Sequence, residues 1–313
     1  MKNHNVLITG GAGYIGSVLC NYLLKKGYKV SVLDNFNYSQ NSLLFHCSYK
    51  NFSLIKGDVR DKNILKQAIK NKDTIIPLAA IVGAPACEAD KKLAIDINLR
   101  QIQNIVKFSS KDQFILLPVS NSGYGVSNDN IALDEKSPLK PISHYGMTKV
   151  MAEKEIMGRK NSVSLRLATV FGPSFRMRTD LLVNDFTLKA YRDNYIVLFE
   201  PNFKRNYIHV MDIAILMEKI ISKPLTYRNK IFNVGLSSAN LSKLELCNKI
   251  KKYIPNLAIE INEFNKDKDQ RNYIISNEKI EATGWKPKYS LDDGIMSLIK
   301  VYSFLRQNHY NNL

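Results

Sequence analysis

The stretch that most restricts the fold is Asn5 to Asn35, NVLITGGAGYIGSVLCNYLLKKGYKVSVLDN. An apolar run, Val6 to Thr9, stops at glycines. Ile15, Leu19, Tyr22 and Leu23 then recur at helical spacing, and Gly27 marks the helix end. KVSVLD follows as a β-branched second strand. Gly10, Gly13 and Gly16 lie between strand and helix. The first suits a tight turn, the second a close backbone approach to phosphate, the third close helix–strand packing. The helix start, at Tyr14 and Ile15, adds amide donors and the positive end of the dipole. Asp34 closes the second strand, where a carboxylate accepts hydrogen bonds from ribose hydroxyls and repels a 2′-phosphate. This predicts a dinucleotide site that favours NAD, with Asn35 beside it.

Two further strands follow at α/β spacing. FSLIKGDVRD ends at Asp58 and Val59, placed to bracket an adenine, and DTIIPLAAIVG ends at Leu78, Ala79 and Ala80, small enough to pass close to a cofactor. Helical stretches between them predict βαβ units and a doubly wound parallel sheet with helices on both faces.

The strand QFILLPVSNSGYG ends in Ser120, Asn121, Ser122 and Tyr124. Ligands of such sheets lie off the carboxyl ends of strands, so both serines are expected to face the crevice of the glycine turn, with Asn121 on the substrate. The next helix, HYGMTKVMAEKEIM, carries Tyr145 and Lys149 one turn apart on one face. Forming a phenolate at pH 7 costs about 4 kcal/mol. One ammonium at about 4–5 Å, at an effective dielectric near 20, returns roughly 3–4 kcal/mol. Lys149 beside an oxidised nicotinamide thus makes Tyr145 a general base, with Ser120 or Ser122 orienting a substrate alcohol.

Of the 313 residues, 45% are hydrophobic and 23% charged, a globular composition. No apolar run reaches the roughly 18 residues that span a bilayer, so no membrane partner is expected. The N-terminus enters a strand without a small-residue cleavage site, and Cys20, Cys47, Cys87 and Cys247 show no paired spacing. Reduced thiols, a cytoplasmic location and no metal site are the expectation. The net charge of +17 is dispersed in pairs such as Lys25–Lys26 and Lys251–Lys252, without an aromatic-interleaved basic block, which argues against a nucleic-acid partner.

TGGAGYIGS at 9–17, the Ser120 strand end and YGMTK at 145–149 resemble the extended short-chain dehydrogenase/reductase family, within it the nucleotide-sugar epimerases and dehydrogenases. The resemblance runs nearly end to end. It implies a Rossmann domain over 1–172 with a return segment at about 206–236. A smaller C-terminal α/β substrate domain would take 173–205 and 237–313. Asn184, Arg205 and Arg271 match family positions used on a diphosphate, and Arg176 and Arg178 are basic residues near the same mouth. Arginine's fork suits phosphate oxygens. His209 is expected to pack at a helix start, and Ser290 with Asp293 to form a capping box.

The family's 4,6-dehydratases carry acids just after the strand-end hydroxyl, where this chain has Asn121 and Ser122; its 3,5-epimerases place a cysteine near Ser122. The resemblance therefore implies oxidation of a nucleotide-diphosphate sugar at C4, as a 4-epimerase or 4-dehydrogenase, with NAD as cofactor. PLAAIVGAPAC and RMRTDLLVN resemble the branch working on capsule and lipopolysaccharide sugars, including GDP-heptoses. Pairing through the Tyr145 helix, as homodimer or homotetramer, is implied as well. The alternative is a non-catalytic NAD-binding or RNA-binding relative; such proteins typically lose the Tyr/Lys pair, which is intact here.

Overall fold

The computed structural model describes residues 3–127, 131–262 and 271–305; the expected spans' ends at 1–2 and 306–313 lie outside them. Alternation in the first strand sets the layers. In β1 (Asn5–Thr9) Val6 and Ile8 face one side and Leu7 the other, all fully buried. A strand apolar on both faces must be covered on both. β1 pairs in parallel with β2 (Lys29–Asp34) and with β4 (Thr74–Pro77), and β3 (Phe52–Lys56) closes that edge against β2. On the other side follow β5 (Phe114–Ser120) and, beyond a short strand β6 (Ala132–Leu133), β7 (Ser162–Leu167).

The connecting helices are α1 (Tyr14–Lys25), α2 (Lys62–Ile69), α3 (Ala84–Ala89), α4 (Lys91–Ile95), α5 (Gln101–Phe108) and α6 (His144–Met157). A π-turn at Asp96–Arg100 precedes α5. Leu65, Ile102, Ile105 and Ile156 pack with Leu7, Leu33 and Leu117 on one face of the sheet; Val18, Leu19 and Leu23 of α1 pack with Val6, Ile8 and Val32 on the other.

After β7 the chain leaves the sheet through β8 (Thr169–Phe171), α7 (Leu182–Asp193) and β9 (Tyr195–Leu198). It returns through β10 (Lys204–His209) and α8 (Val210–Ser222), which packs on α1. After α9 (Pro224–Tyr227), β11 (Lys230–Val234) pairs in parallel with β7 and completes a seven-stranded parallel sheet in the order β11-β7-β5-β4-β1-β2-β3. This is the Rossmann-like sheet expected, and the reversal beside β1 makes the crevice at its carboxyl edge. The remaining elements are β12 (Asn240–Ser242), α10 (Lys243–Lys251), β13 (Ala258–Ile261), β14 (Ile274–Ile275), α11 (Glu278–Glu281) and α12 (Leu291–Tyr302). They build small sheets, β12-β10-β8, β13-β9 and β14-β6, over that crevice. The capping box at the start of α12 forms between Ser290 and Asp293.

Leu7→Ala is expected to lower unfolding free energy by about 2–5 kcal/mol in chemical denaturation. Leu54→Ala, on edge strand β3 and 42% exposed, is expected to stay within about 0.5 kcal/mol of the parent.

Candidate active site

A cavity of about 590 Å³ opens at the carboxyl edge of the sheet, and the glycine turn forms its floor. Gly10 has φ +70°, and a Cβ there would stand 2.5 Å from the Ala79 amide nitrogen; one on Gly16 would stand 2.6 Å from the Gly10 oxygen. α1 starts at Gly13 without a side-chain cap, and Gly13, Tyr14, Ile15 and Gly16 line the cavity, leaving first-turn amides to bind an anion. Asp34, nearly buried, accepts from the Ala12 amide at 2.9 Å and the Phe36 amide at 2.8 Å. Burial raises its pKa and these amides oppose the rise. Asn35, Val59, Leu78, Ala79 and Ala80 line the same space. Asp58 does not; Arg60 holds it through two nitrogens and lines the cavity itself. A cradle that any Cβ would fill, open helix amides and a fixed carboxylate fit a dinucleotide.

At the centre, Ser120 ends β5 and lines the cavity together with Tyr145, close enough to oppose the rise in the phenol's pKa. The chain then rolls into a 3₁₀ turn, Asn121–Tyr124, started by the Ser122 amide donating to Ser120 Oγ at 3.1 Å. That roll packs Asn121 and Ser122 against α6, away from the cavity. Both are about 1% exposed, neither lines the cavity, and their side-chain polar atoms have no partner among the described residues. Of the two serines the sequence left open, the structure brings Ser120 into the cavity with Tyr145.

α6 is capped by Ser143, whose hydroxyl accepts from the Gly146 amide at 3.1 Å. It carries Tyr145 and Lys149 into the cavity, with Lys149 Nζ 5.9 Å from the Tyr145 ring centre. Burial pushes Lys149 down to about 8, opposed in part by the neighbouring Cys87. Burial also raises the Tyr145 phenol; Arg271 is the leading group that lowers it, followed by Arg178 and then Ser120, and burial outweighs them. The sequence argument placed the offsetting charge on Lys149. The groups that oppose the rise are Arg271 and Arg178, on a basic wall of the same cavity.

That wall holds Arg178, Arg205 and Arg271. Arg178 is paired through two nitrogens with Asp180, and Arg205, 2% exposed, donates to the Lys204 carbonyl at 2.9 Å. Lys243, which the sequence reading missed, joins them; it is 2% exposed, with Nζ 2.7 Å from the Phe199 carbonyl. Arg176 also lines the cavity, against Tyr38. Asn184 does not. Its oxygen accepts from the Gly172 amide at 3.0 Å, and its nitrogen donates to the Arg178 carbonyl at 2.8 Å and the Tyr14 hydroxyl at 3.3 Å, so the amide shapes the arginine-bearing loop from behind. His209 is structural, as expected: it caps α8, stacks on Tyr289 at 4.5 Å, and burial pushes it down to about 4.

A family model, the NAD dependent epimerase/dehydratase family, matches residues 6–235. The chain belongs to that family. A low-salt glycan biosynthesis protein of Haloferax volcanii is 26% identical over 95% of this chain and 98% of its own length. A putative UDP-glucose 4-epimerase of Methanocaldococcus jannaschii is 25% identical over 97% and 99%. Among solved structures, a UDP-glucose 4-epimerase of Thermus thermophilus in complex with NAD superposes with a TM-score of 0.81 at 24% identity, covering 96% of this chain and 99% of that one. A UDP-glucuronic acid 4-epimerase of Bacillus cereus gives 0.84 at 22%, with the same coverage.

The epimerase/dehydratase family is NAD-dependent, and the glycine turn with Asp34 supplies the matching cradle. Two side chains absent from the sequence reading fix the neighbouring backbone. Asn98, in the π-turn, accepts from the Ile81 amide at 2.9 Å and donates to Thr148 Oγ1 at 3.2 Å, tying the end of β4 to α6. Gln101 donates to the Ala79 carbonyl at 2.5 Å. Helical periodicity carries no sign of a π-turn, which is common at functional sites.

Lys149→Met removes an ammonium that burial has pushed from 10.5 to about 8. The folded-state value lies below the unfolded one, so the penalty is fully present below pH 8 and vanishes as pH rises through 10.5. At pH 7 the variant is expected to be more stable than the parent by up to about 3 kcal/mol in denaturant titrations, with the gap closing at high pH. Turnover is expected to collapse in the same variant.

Proposed function

We propose that this family member oxidises a nucleotide-diphosphate sugar at C4, acting as a 4-epimerase or 4-dehydrogenase in the synthesis of surface-polysaccharide sugars. The observation that carries the reading is that Ser120, Tyr145 and Lys149 line one cavity with the glycine turn and the basic side chains Arg178, Arg205, Arg271 and Lys243. Tyr145 accepts the hydroxyl proton, Ser120 holds the reacting oxygen, and Lys149 adds positive charge on the same helix. Bound NAD⁺ supplies the hydride acceptor. Arg205, Arg271 and Lys243 hold the diphosphate, and Arg178 with Asp180 forms the wall nearer the sugar.

One further observation supports C4 oxidation without dehydration: Asn121 and Ser122 are not acids, and neither lines the cavity. A similar protein is named for glycan biosynthesis, which supports the polysaccharide context. The reading includes GDP-sugars among the substrates. Homodimer or homotetramer formation is part of the same reading. Met147 and Met151 stand 44% and 52% exposed on the catalytic helix, where a second copy would cover them.

The test is incubation with UDP-, GDP- and dTDP-sugars, read by product mass and cofactor absorbance. Unchanged mass with altered stereochemistry identifies an epimerase, and loss of two hydrogens a dehydrogenase; loss of water overturns the reading. Tyr145→Phe is expected to lower turnover by roughly 10²–10⁴-fold, the usual worth of a positioned acid–base group.

A further inference from the structure

The segment after β8 stands on the dinucleotide turn. Ser174 donates to the Tyr14 carbonyl at 2.7 Å and meets the Ser17 hydroxyl at 3.1 Å, both in the first turn of α1. Phe175 meets the buried His46 ring edge-on at 5.4 Å. Arg176 is 4% exposed, and its guanidinium carbon lies 4.9 Å from the centre of the Tyr38 ring. Tyr38 and His46 both belong to the connection that follows Asp34.

That connection is built to aim Tyr38 inward. Phe36 (φ +56°) and Ser39 (φ +48°) flank it in the left-handed region, although neither is glycine. Strain of this kind persists where the surroundings over-determine it, and it collects at ligand clamps. The Phe36 amide is held by Asp34, and Ser42 anchors the loop by donating to the Ala12 carbonyl at 2.7 Å. Tyr38 and Arg176 both line the cavity that Asp34 and the glycine turn also line.

We propose that Tyr38 and Arg176 are a two-residue clasp over the bound dinucleotide, so that Arg176 serves cofactor retention and not, as the sequence suggests, the sugar nucleotide. A guanidinium in a cavity that the first turn of α1 also lines suits a pyrophosphate; one of its nitrogens donates to the Met177 carbonyl at 3.1 Å and the Tyr38 face packs on it, which holds the fork in place. Because the clasp joins a loop of the NAD-binding sheet to the loop that carries Arg178, the dinucleotide stays in place while sugar nucleotides exchange. The hydride taken from one sugar is then held in the site as NADH, and it is either returned to the keto sugar there or passed to the carbonyl carbon of a second substrate in the same cavity, which is reduced to an alcohol.

The test is NADH release from purified protein, followed by nucleotide fluorescence after chase with excess NAD⁺. Arg176→Met and Tyr38→Ala are expected to speed release by roughly 3- to 30-fold, the range a desolvated cation–π contact carries. Tyr38→Phe, which keeps the ring, is expected to match the parent. Affinities for UDP, GDP and dTDP are expected to change less than about twofold, because Arg205, Arg271 and Lys243 remain. Circular dichroism and Tm identify variants that fail to fold, and Arg176→Lys then replaces them with the same expectation of faster release. Unchanged release overturns the clasp. Faster release accompanied by weakened nucleoside diphosphate binding overturns it too, because Arg176 would then belong to the substrate or the whole loop would have lost its shape.

Discussion

The juxtaposition on which the site depends is that of Ser120 and Tyr145 in one cavity. The two residues come from different elements, and neither reaches the other without the sheet. Parallel register sets Ser120 opposite Leu167 and Thr9 opposite Pro77, so strand ends line one edge. The Ser143 cap fixes where α6 begins, and Asn98 ties that helix to the end of β4 through Thr148. Shortening β5 by one residue would send the serine to the other face, because strand side chains alternate.

Electrostatics couples the two sides of the cavity. Burial works against both the phenolate and the ammonium, and a lysine alone does not offset it. Arg271 and Arg178, which line the same cavity, oppose the rise in the phenol without outweighing burial. Arg271 therefore has two duties in the proposed reaction, toward the diphosphate and toward the base. Several buried cations near one another are costly to fold, and the position of Asp180 against Arg178 and of backbone carbonyls against Arg205 and Lys243 relieves part of that cost. Active sites commonly keep such groups at the expense of stability.

The fold was largely legible because its signals are local. Glycine spacing, β-branched runs and helical periodicity marked the first two strands, α1, and α6 at its observed bounds, His144–Met157. β11, which lies within the return segment at about 206–236, joins the sheet beside β7. What escaped depended on tertiary contacts. The 3₁₀ turn that removes Asn121 and Ser122 from the cavity looks like a continuing strand edge in sequence. Asn184 faces inward because Gly172, Arg178 and Tyr14 surround it, and no spacing rule reports that. Lys243 read as one more dispersed lysine until the fold put it beside Arg205 and Arg271.

The central claim is that Tyr145 becomes a proton acceptor through surrounding positive charge. It is tested most directly by the phenolate absorbance difference between the parent and Tyr145→Phe, titrated with and without saturating NAD⁺. The midpoint is expected to fall when NAD⁺ is present and to rise again in an Arg271→Gln background. A midpoint that moves under neither change contradicts the account.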